Sequence, residues 1–230
     1  MSGPEGTDSS LTVEAMEQLR GMGREARGVV VMDLEQMTMT ELQRLHAAGV
    51  RSVRFNTRRD GTSLDALFEQ TAEKIHAAGV GWSIEAAIFD ISTWHRLTPT
   101  LRRLNKSYGT IFVADHVFAA QAGDLADSKF QQLLELVQDG TIMVKISGLT
   151  RYGRSPRDMI PVIRAVLSQN EGSSGVFGSD WPHVNSAPGS TDLLSVHLEE
   201  HLAVLKGVCD ELGSGFWEKL MRDNAKILYK

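Results

Sequence analysis

The sequence predicts an α/β fold in which helices cover a parallel β-sheet. Six short apolar runs, rich in β-branched residues, alternate with longer amphipathic stretches along the chain. The runs begin about 30 residues apart, which is the length that a strand, a loop and a returning helix require. Strands that alternate with helices in this way form parallel sheets. The predicted strands are Gly28–Asp33, Val50–Asn56, Gly81–Ile88, Thr110–His116, Thr141–Gly148 and Gly175–Asp180.

The residues that start and stop helices support this alternation. Thr38–Ala48 begins with Thr residues that can cap a helix, and it stops before Gly49. Ser63–Ala78 begins with a Ser and an acidic first turn, and it stops before a glycine. Because no low-complexity linker interrupts the pattern, we expect one domain over residues 11–230, preceded by a flexible stub at residues 1–10. Further helices are predicted at Thr93–Lys106, Ser128–Asp139, Pro156–Gln169, Leu193–Leu212 and Gly215–Leu228.

Two architectures contain a parallel sheet of this kind, namely a closed (β/α)8 barrel and an open doubly wound sheet. Six predicted strands suit the open sheet, whereas a barrel needs eight. However, no G-x-G-x-x-G follows the first predicted strand and no GK[ST] occurs, which argues against a nucleotide-binding version of that sheet. In both architectures the active site lies at the carboxyl ends of the strands.

The composition excludes several classes of partner. The 230 residues carry a formal net charge of -5 and include a single cysteine, Cys209. Phosphate binding needs grouped Lys and Arg, so this acidic balance argues against a nucleic-acid partner. No apolar run approaches the roughly 18 residues of a membrane span, and the N-terminal sequence has no secretory pattern. We therefore expect a cytoplasmic protein that binds a small molecule, without nucleic-acid or membrane partners.

The strongest motif is GSDWPH, at the end of the last predicted strand. It places Asp180 at a strand tip, with Trp181, Pro182 and His183 directly after it. An Asp in this position can take a proton from water, or hold a metal that lowers the pKa of bound water. The alternative is an Asp that caps the next helix, followed by a surface His.

Other predicted strands also end in polar residues. His116 ends the fourth strand and can bind a metal or donate a hydrogen bond to a carbonyl oxygen, although a lone His is as often structural. Asn56 and Ser147 lie at two further strand ends. For Asn56, and for Asp33 at the first strand end, the simpler interpretation is that Asn and Asp start turns.

Arginines form a second group near the strand ends. Arg54, Arg58 and Arg59 cluster around the second predicted strand, and Arg151 follows the fifth. A guanidinium group can bind a carboxylate through two parallel hydrogen bonds, so these residues are candidates for holding a substrate carboxylate. Ordinary solvated loop charges are the alternative.

Five motifs together resemble the amidohydrolase-related family, and within it the 2-pyrone-4,6-dicarboxylate lactonase group. In chain order they are GVRSVRFN, FVADH, VKISGLTRYG, FGSDWPH and RDNAKILYK. The resemblance covers nearly the whole chain. It implies a (β/α)8 TIM barrel and a hydrolase of a small cyclic ester or amide, above all of a carboxylate-bearing lactone.

The resemblance also implies roles for the strand-end residues. Asp180 would activate the hydrolytic water, and His116 would polarise the scissile carbonyl or bind a metal together with Asp180. Many family members bind zinc or manganese, whereas the dicarboxylate lactonases work without a divalent metal, so we expect either no cofactor or one such ion. The residues expected to bind substrate are Arg54, Asn56, Arg58, Arg59, Ser147, Arg151 and His183.

The sequence departs from the family pattern at its beginning. The pattern opens with a strand that ends in His-x-His and with a second strand, but this sequence contains no His-x-His. We therefore expect the third to eighth strands of a barrel truncated at its N-terminus, with open sheet edges that favour self-association. Two alternatives remain: an inactive family member that binds small acids, and an unrelated doubly wound domain in which Asp180 and His116 lie far apart.

Overall fold

Six parallel strands form a single sheet in the computed structural model, which describes residues 6–56, 63–152, 155–184 and 192–230. Each strand pairs with the next one along the chain. Every strand lies inside one of the predicted apolar runs. The strands are β1 (Gly28–Val30), β2 (Val50–Asn56), β3 (Ser83–Ala87), β4 (Phe112–Ala114), β5 (Ile142–Ile146) and β6 (Gly175–Phe177).

The strand order identifies the architecture. In a doubly wound sheet the order reverses at a switch point, whereas here it runs from β1 to β6 without reversal. Sequential parallel order is the order of a (β/α)8 barrel, of which these strands form a contiguous six-stranded part. The barrel-type prediction is therefore confirmed, and the doubly wound alternative is wrong.

Helices follow each of the first five strands and flank the sheet. One of them begins and ends at the residues that the sequence predicts. The Thr38 side chain accepts a hydrogen bond from the Glu41 backbone N–H at 3.2 Å, and Gly49 ends the same helix with a φ of 114°. None of the helices in the described ranges is both long and apolar enough to cross a membrane. The helices are α1 (Ser10–Gly21), α2 (Met39–Ala48), α3 (Leu64–Ala77), α4 (Ile91–Tyr108), α5 (Ser128–Gln138), α6 (Ile160–Leu167), α7 (Leu198–Leu212), α8 (Phe216–Glu218) and α9 (Asn224–Leu228).

Three helices differ from the sequence-based expectation. The sequence does not predict α1, which buries a single side chain, Met16, and so has only a weak apolar stripe. Helix α7 begins at Leu198 rather than Leu193, because Leu193 forms an antiparallel bridge with Val184. The last predicted helix is divided into α8 and α9 by a π turn at Lys219–Asp223.

The two faces of the sheet have different environments. One face packs against the helices through side chains such as Ile84, Phe112 and Val144, which belong to the main core. The residues that alternate with them, including Glu85 and Lys145, lie on the opposite, inner face. A smaller apolar cluster on that face contains Val113, Met143, Val176 and Leu228, with Tyr229 packed against it. The C-terminal residues therefore cover part of the inner face.

Candidate functional site

Four of the predicted site residues meet beyond the carboxyl ends of β4, β5 and β6. The Arg151 Nε donates a hydrogen bond to Asp180 Oδ2 at 2.5 Å. His116 Nε2 lies 3.8 Å from the other carboxylate oxygen of Asp180, and His116 Nδ1 lies 2.9 Å from the Ser147 hydroxyl. The alternative in which Asp180 and His116 lie far apart is therefore wrong.

A left-handed turn holds His116 in this cluster. Four consecutive residues, from His116 to Ala119, have φ between 50° and 62°. Left-handed backbone costs a residue with a Cβ atom roughly 1–2 kcal/mol, so the surrounding structure must stabilise this turn. Val117 and Phe118 supply that support, because both side chains are completely buried in the main core. The sequence places His116 at a strand end, and the turn determines which residues it contacts.

Gly148 lies at the centre of the cluster. A Cβ atom at this position would lie 2.9 Å from His116 Nδ1, 3.0 Å from Arg151 Cδ and 3.0 Å from Asp180 Oδ2. The residue also has a φ of +58°, a conformation that glycine adopts without strain. Only a residue without a side chain allows these three groups to approach one another so closely.

Next to this cluster, four charged side chains form a network across the inner face. Arg54 Nε donates to Asp115 Oδ2 at 2.6 Å, and Lys145 Nζ lies 2.9 Å from Asp115 Oδ1. Lys145 also pairs with Glu85, whose side chain is fully buried. Two cations therefore balance two buried carboxylates, as buried charges require.

Electrostatics fix the ionisation of this network. Burial raises the pKa of Asp115, but the charges of Lys145 and Arg54 outweigh burial and hold that pKa well below its usual range. Burial lowers the pKa of Lys145, but Asp115 and Glu85 raise it above its ordinary value. Burial likewise opposes the charge on Arg54, and the neighbouring carboxylates outweigh it. Asp115, Lys145 and Arg54 are thus held in their charged forms by their partners.

His116 is neutral near pH 7. Burial lowers its pKa below the ordinary value of 6.5, and the opposing charges of Asp115 and Asp180 do not fully compensate. A neutral imidazole has one N–H and one unprotonated nitrogen. If the Ser147 hydroxyl donates to Nδ1, the N–H is at Nε2, on the side that faces Asp180.

The remaining predicted site residues lie around this centre or outside the described ranges. Asn56 ends β2 opposite Ala87 and is exposed. His183 is partly buried beyond Asp180, where its charge contributes to the lowered pKa of His201 in α7. Arg58 and Arg59 fall outside the described residues.

The predicted site residues include Arg54 but not Glu85, Asp115 or Lys145 of the charged network, and they do not include Gly148. Glu85 occupies the middle of an otherwise apolar strand, GWSIEAAI, and a carboxylate inside such a strand indicates a buried partner. Lys145 has the same position in TIMVKISG. These two strand-centre charges could have been paired from the sequence. The crowding around Gly148 could not be predicted from the sequence, because it depends on three loops that meet in the folded chain.

A metal site would need more ligands than this cluster provides. In the ranges that the structure describes, no three His, Cys, Asp or Glu side chains come together so that they could hold a metal ion. His116 and Asp180 are two candidate ligands, and the Arg151 guanidinium already contacts the Asp180 carboxylate. Three protein ligands are usual for a catalytic zinc, so the described donor set does not fit such an ion.

Comparisons with known proteins agree with this geometry. Residues 2–230 match the model of the amidohydrolase family. The chain is 29% identical over 241 residues to a 2-pyrone-4,6-dicarboxylate hydrolase of Comamonas testosteroni, an alignment that covers 97% of this chain and 72% of that protein. It is 28% identical over 187 residues to a 4-sulfomuconolactone hydrolase of Rhizobium radiobacter, and there the alignment covers 77% of this chain and 58% of the relative.

Solved structures show the same fold. A candidate 2-pyrone-4,6-dicarboxylic acid hydrolase from Pseudomonas putida superimposes with a TM-score of 0.75 at 25% identity, over 97% of this chain and 78% of that one. A second such candidate, from Acinetobacter baumannii, gives a TM-score of 0.77 at 20% identity, over 100% of this chain and 81% of that one. Because the family model matches nearly every residue, the chain belongs to the amidohydrolase family.

Proposed function

We propose that this chain hydrolyses a carboxylate-bearing lactone, with Asp180 as the base that activates water. The observation that carries the proposal is the meeting of a carboxylate, a neutral imidazole and a guanidinium group at one point. The Asp180 carboxylate lies 3.8 Å from His116 Nε2 and 2.5 Å from Arg151 Nε. The two relatives, which are named as lactone or pyrone hydrolases, support this choice of reaction.

The reaction needs one proton acceptor and one hydrogen-bond donor. Asp180 takes a proton from water as the water oxygen bonds to the lactone carbonyl carbon. His116 donates its N–H to the carbonyl oxygen, on which negative charge develops. The ring C–O bond then breaks, and the proton held by Asp180 passes to the departing ring oxygen. The product is the open chain with one new carboxylic acid group, which releases its proton to solvent and becomes a carboxylate.

Arginine side chains would hold the carboxylates of the substrate. The side chains of Arg54 and Arg151 remain 21% and 17% exposed although each is paired with an Asp. Both therefore reach the surface of the site while their orientation is fixed. Arginine in this setting binds carboxylates through directed hydrogen bonds.

The role of Asp180 is tested by Asp180→Asn, which removes the base and keeps the shape of the side chain. With 2-pyrone-4,6-dicarboxylate as substrate, we expect kcat to fall by at least about 100-fold, the usual minimum contribution of general-base catalysis. The matched control is Asp33→Asn, because the Asp33 carboxylate accepts a hydrogen bond from the Glu35 backbone N–H in a turn after β1. The control should keep the activity of the unchanged chain.

Two further results would redirect the proposal. Full activity in Asp180→Asn would show that another group activates the water. Binding of the dicarboxylate by calorimetry without any turnover would favour the alternative, a small-acid binding module. Assays with added zinc or manganese, and with a chelator, belong in the same series and measure any metal dependence of turnover.

A further inference from the structure

We propose that Tyr229, near the C-terminus, is a positioning residue for Arg54. Tyr229 would act through a chain of buried charges on the inner face of the sheet. The effect of this positioning on substrate binding rests on the proposed function. The positioning itself is a property of the protein without ligand. Tyr229 belongs to the C-terminal RDNAKILYK motif, and neither the strand-end motifs nor the catalytic cluster includes it.

The C-terminal residues are anchored at several points. The Arg51 Nε donates to the Lys230 carbonyl at 2.7 Å, and the Arg27 Nε donates to the Tyr229 carbonyl at 3.2 Å. Leu228 packs with Val113 on the inner face. These contacts fix the backbone on both sides of the Tyr229 ring, which brings the hydroxyl to the charged network.

The Tyr229 hydroxyl donates a hydrogen bond to Glu85 Oε1 at 2.7 Å. Burial and the charge of Glu85 raise the pKa of Tyr229, so the hydroxyl keeps its proton and acts as a donor. Glu85 uses its other oxygen, Oε2, for Lys145. The carboxylate of Glu85 is therefore held from two sides, and the side chain is completely buried.

Lys145 connects Glu85 to the substrate side of the network. Its ammonium group contacts Glu85 and also lies 2.9 Å from Asp115 Oδ1. Asp115 Oδ2 accepts the hydrogen bond from Arg54 Nε. The path from Tyr229 to Arg54 thus consists of four consecutive polar contacts among side chains with little access to water.

Loss of one contact in such a path affects the others. Without the Tyr229 hydroxyl, Glu85 would have one oxygen less satisfied and would draw the Lys145 ammonium towards it. Lys145 would then hold Asp115 less firmly, and Asp115 is the group that orients the Arg54 guanidinium. We infer that Tyr229 sets how tightly Arg54 is held before any substrate arrives.

The Arg54 Nε proton gives a test that needs no ligand. Its exchange with water is measured by NMR on uniformly 15N-labelled full-length chain, with the resonance assigned by its loss in Arg54→Lys. In Tyr229→Phe we expect this exchange to be about five- to tenfold faster, the factor for one weakened hydrogen bond. The Arg151 Nε proton, bonded to Asp180 outside the path, should keep its rate.

Two further variants complete the test. Tyr108→Phe is the matched control, because its hydroxyl makes a surface contact with Glu73 at 3.4 Å and should leave Arg54 unaffected. Glu85→Gln interrupts the same path at its next residue and should reproduce the effect of Tyr229→Phe. Unchanged Arg54 exchange in both path variants would overturn the inference. Equal acceleration at Arg54 and Arg151 would overturn it too, since it would indicate general loosening of the fold.

Kinetics connect the positioning to the proposed function. With a carboxylated lactone, Tyr229→Phe should raise KM about fivefold and change kcat by less than about twofold, because Arg54 binds the substrate but does not react. A wild-type chain without turnover would contradict the proposed function, and the NMR result would still decide on Tyr229. An unchanged KM together with faster Arg54 exchange would refute the assigned part in substrate binding.

Discussion

Residues at this site tolerate little substitution, and Gly148 tolerates the least. Two properties constrain it: a left-handed backbone and three site groups within 3.0 Å of where a Cβ atom would lie. Gly140 has the first property alone, with a φ of +78° and open space around it. Comparing substitutions at the two glycines therefore distinguishes the effect of backbone strain from the effect of crowding in the site.

Gly148→Ala should lower kcat/KM at least about tenfold, because the methyl group displaces His116, Arg151 or Asp180 at a cost of about 1–3 kcal/mol. Gly140→Ala should keep normal kinetics. Both variants should lose about 1 kcal/mol of unfolding free energy from the positive φ, and Gly148→Ala should lose the crowding cost in addition. Steady-state kinetics and urea denaturation measure the two effects. Equal activity of the two variants would contradict the crowding argument.

Lys145 balances two buried carboxylates, so its removal should be costly. Lys145→Met keeps most of the length of the side chain and leaves Glu85 and Asp115 without their shared cation. We expect a loss of about 3 kcal/mol of unfolding free energy, the lower part of the range for a broken buried ion pair, since this lysine is 21% exposed. Lys206→Met, which removes an exposed pair with Asp210 in α7, should cost less than about 0.5 kcal/mol in the same denaturation assay. Similar losses would refute the buried-network account.

Some of these residues could be predicted from the sequence, and others could not. Asp180 and His116 could be predicted because each ends a predicted strand, and the strand ends of a parallel sheet converge. The contacts that Asp180 makes with His116 and with Arg151 depend on the left-handed turn at His116 and on the loop after β5. No local sequence pattern predicts either of these. Tyr229 lies 144 residues from Glu85 along the chain, so only the folded structure connects the two residues.

Strands and helices follow local rules in most of the chain. Apolar runs of β-branched residues predict the six strands, and capping residues such as Thr38 and Gly49 predict helix boundaries. The predicted helices differ from the structure where local sequence patterns do not determine the helix or its first residue. Helix α1 lacks a strong apolar stripe, and the start of α7 is delayed by the bridge between Val184 and Leu193.

Helix α7 carries a buried histidine that should make folding sensitive to pH. Burial, followed by the charge of His183, lowers the pKa of His201, although Glu200 and Asp180 oppose this. The unfolded chain therefore binds more protons than the folded chain just below pH 6.5. Stability should fall as the pH drops from 6.5 towards the lowered pKa, with a slope of at most about 1.4 kcal/mol per pH unit for this group.

His201→Gln should reduce this pH dependence, measured as unfolding free energy in urea between pH 5 and pH 7. His46 and His116, whose pKa values are also lowered by burial, should retain their own contributions of the same sign. His197→Gln is the matched control, because His197 is exposed at the N-terminal end of α7. An unchanged slope in His201→Gln would contradict the assignment.

The assembled sheet has two edge strands, β1 and β6, within the described ranges. Edge strands present unpaired N–H and C=O groups that can pair with another chain. We therefore expect the 230-residue chain to self-associate. Sedimentation velocity over a hundredfold range of concentration should show a sedimentation coefficient that rises with concentration. A constant monomer value would refute this expectation.

The sheet brings Asp180, His116, Arg54 and Arg151 to one side, and under the proposed function this arrangement predicts a preference among substrates. The measurement is kcat/KM for three compounds: 2-pyrone-4,6-dicarboxylate, a 2-pyrone with one carboxylate, and unsubstituted 2-pyrone. We expect the dicarboxylate to be hydrolysed at least about 100-fold more efficiently than the unsubstituted ring, since each charged hydrogen bond contributes about 1.5–3 kcal/mol, with the monocarboxylate between them. Equal rates for all three, or no hydrolysis of any of them by the folded chain, would contradict a carboxylate-directed lactonase.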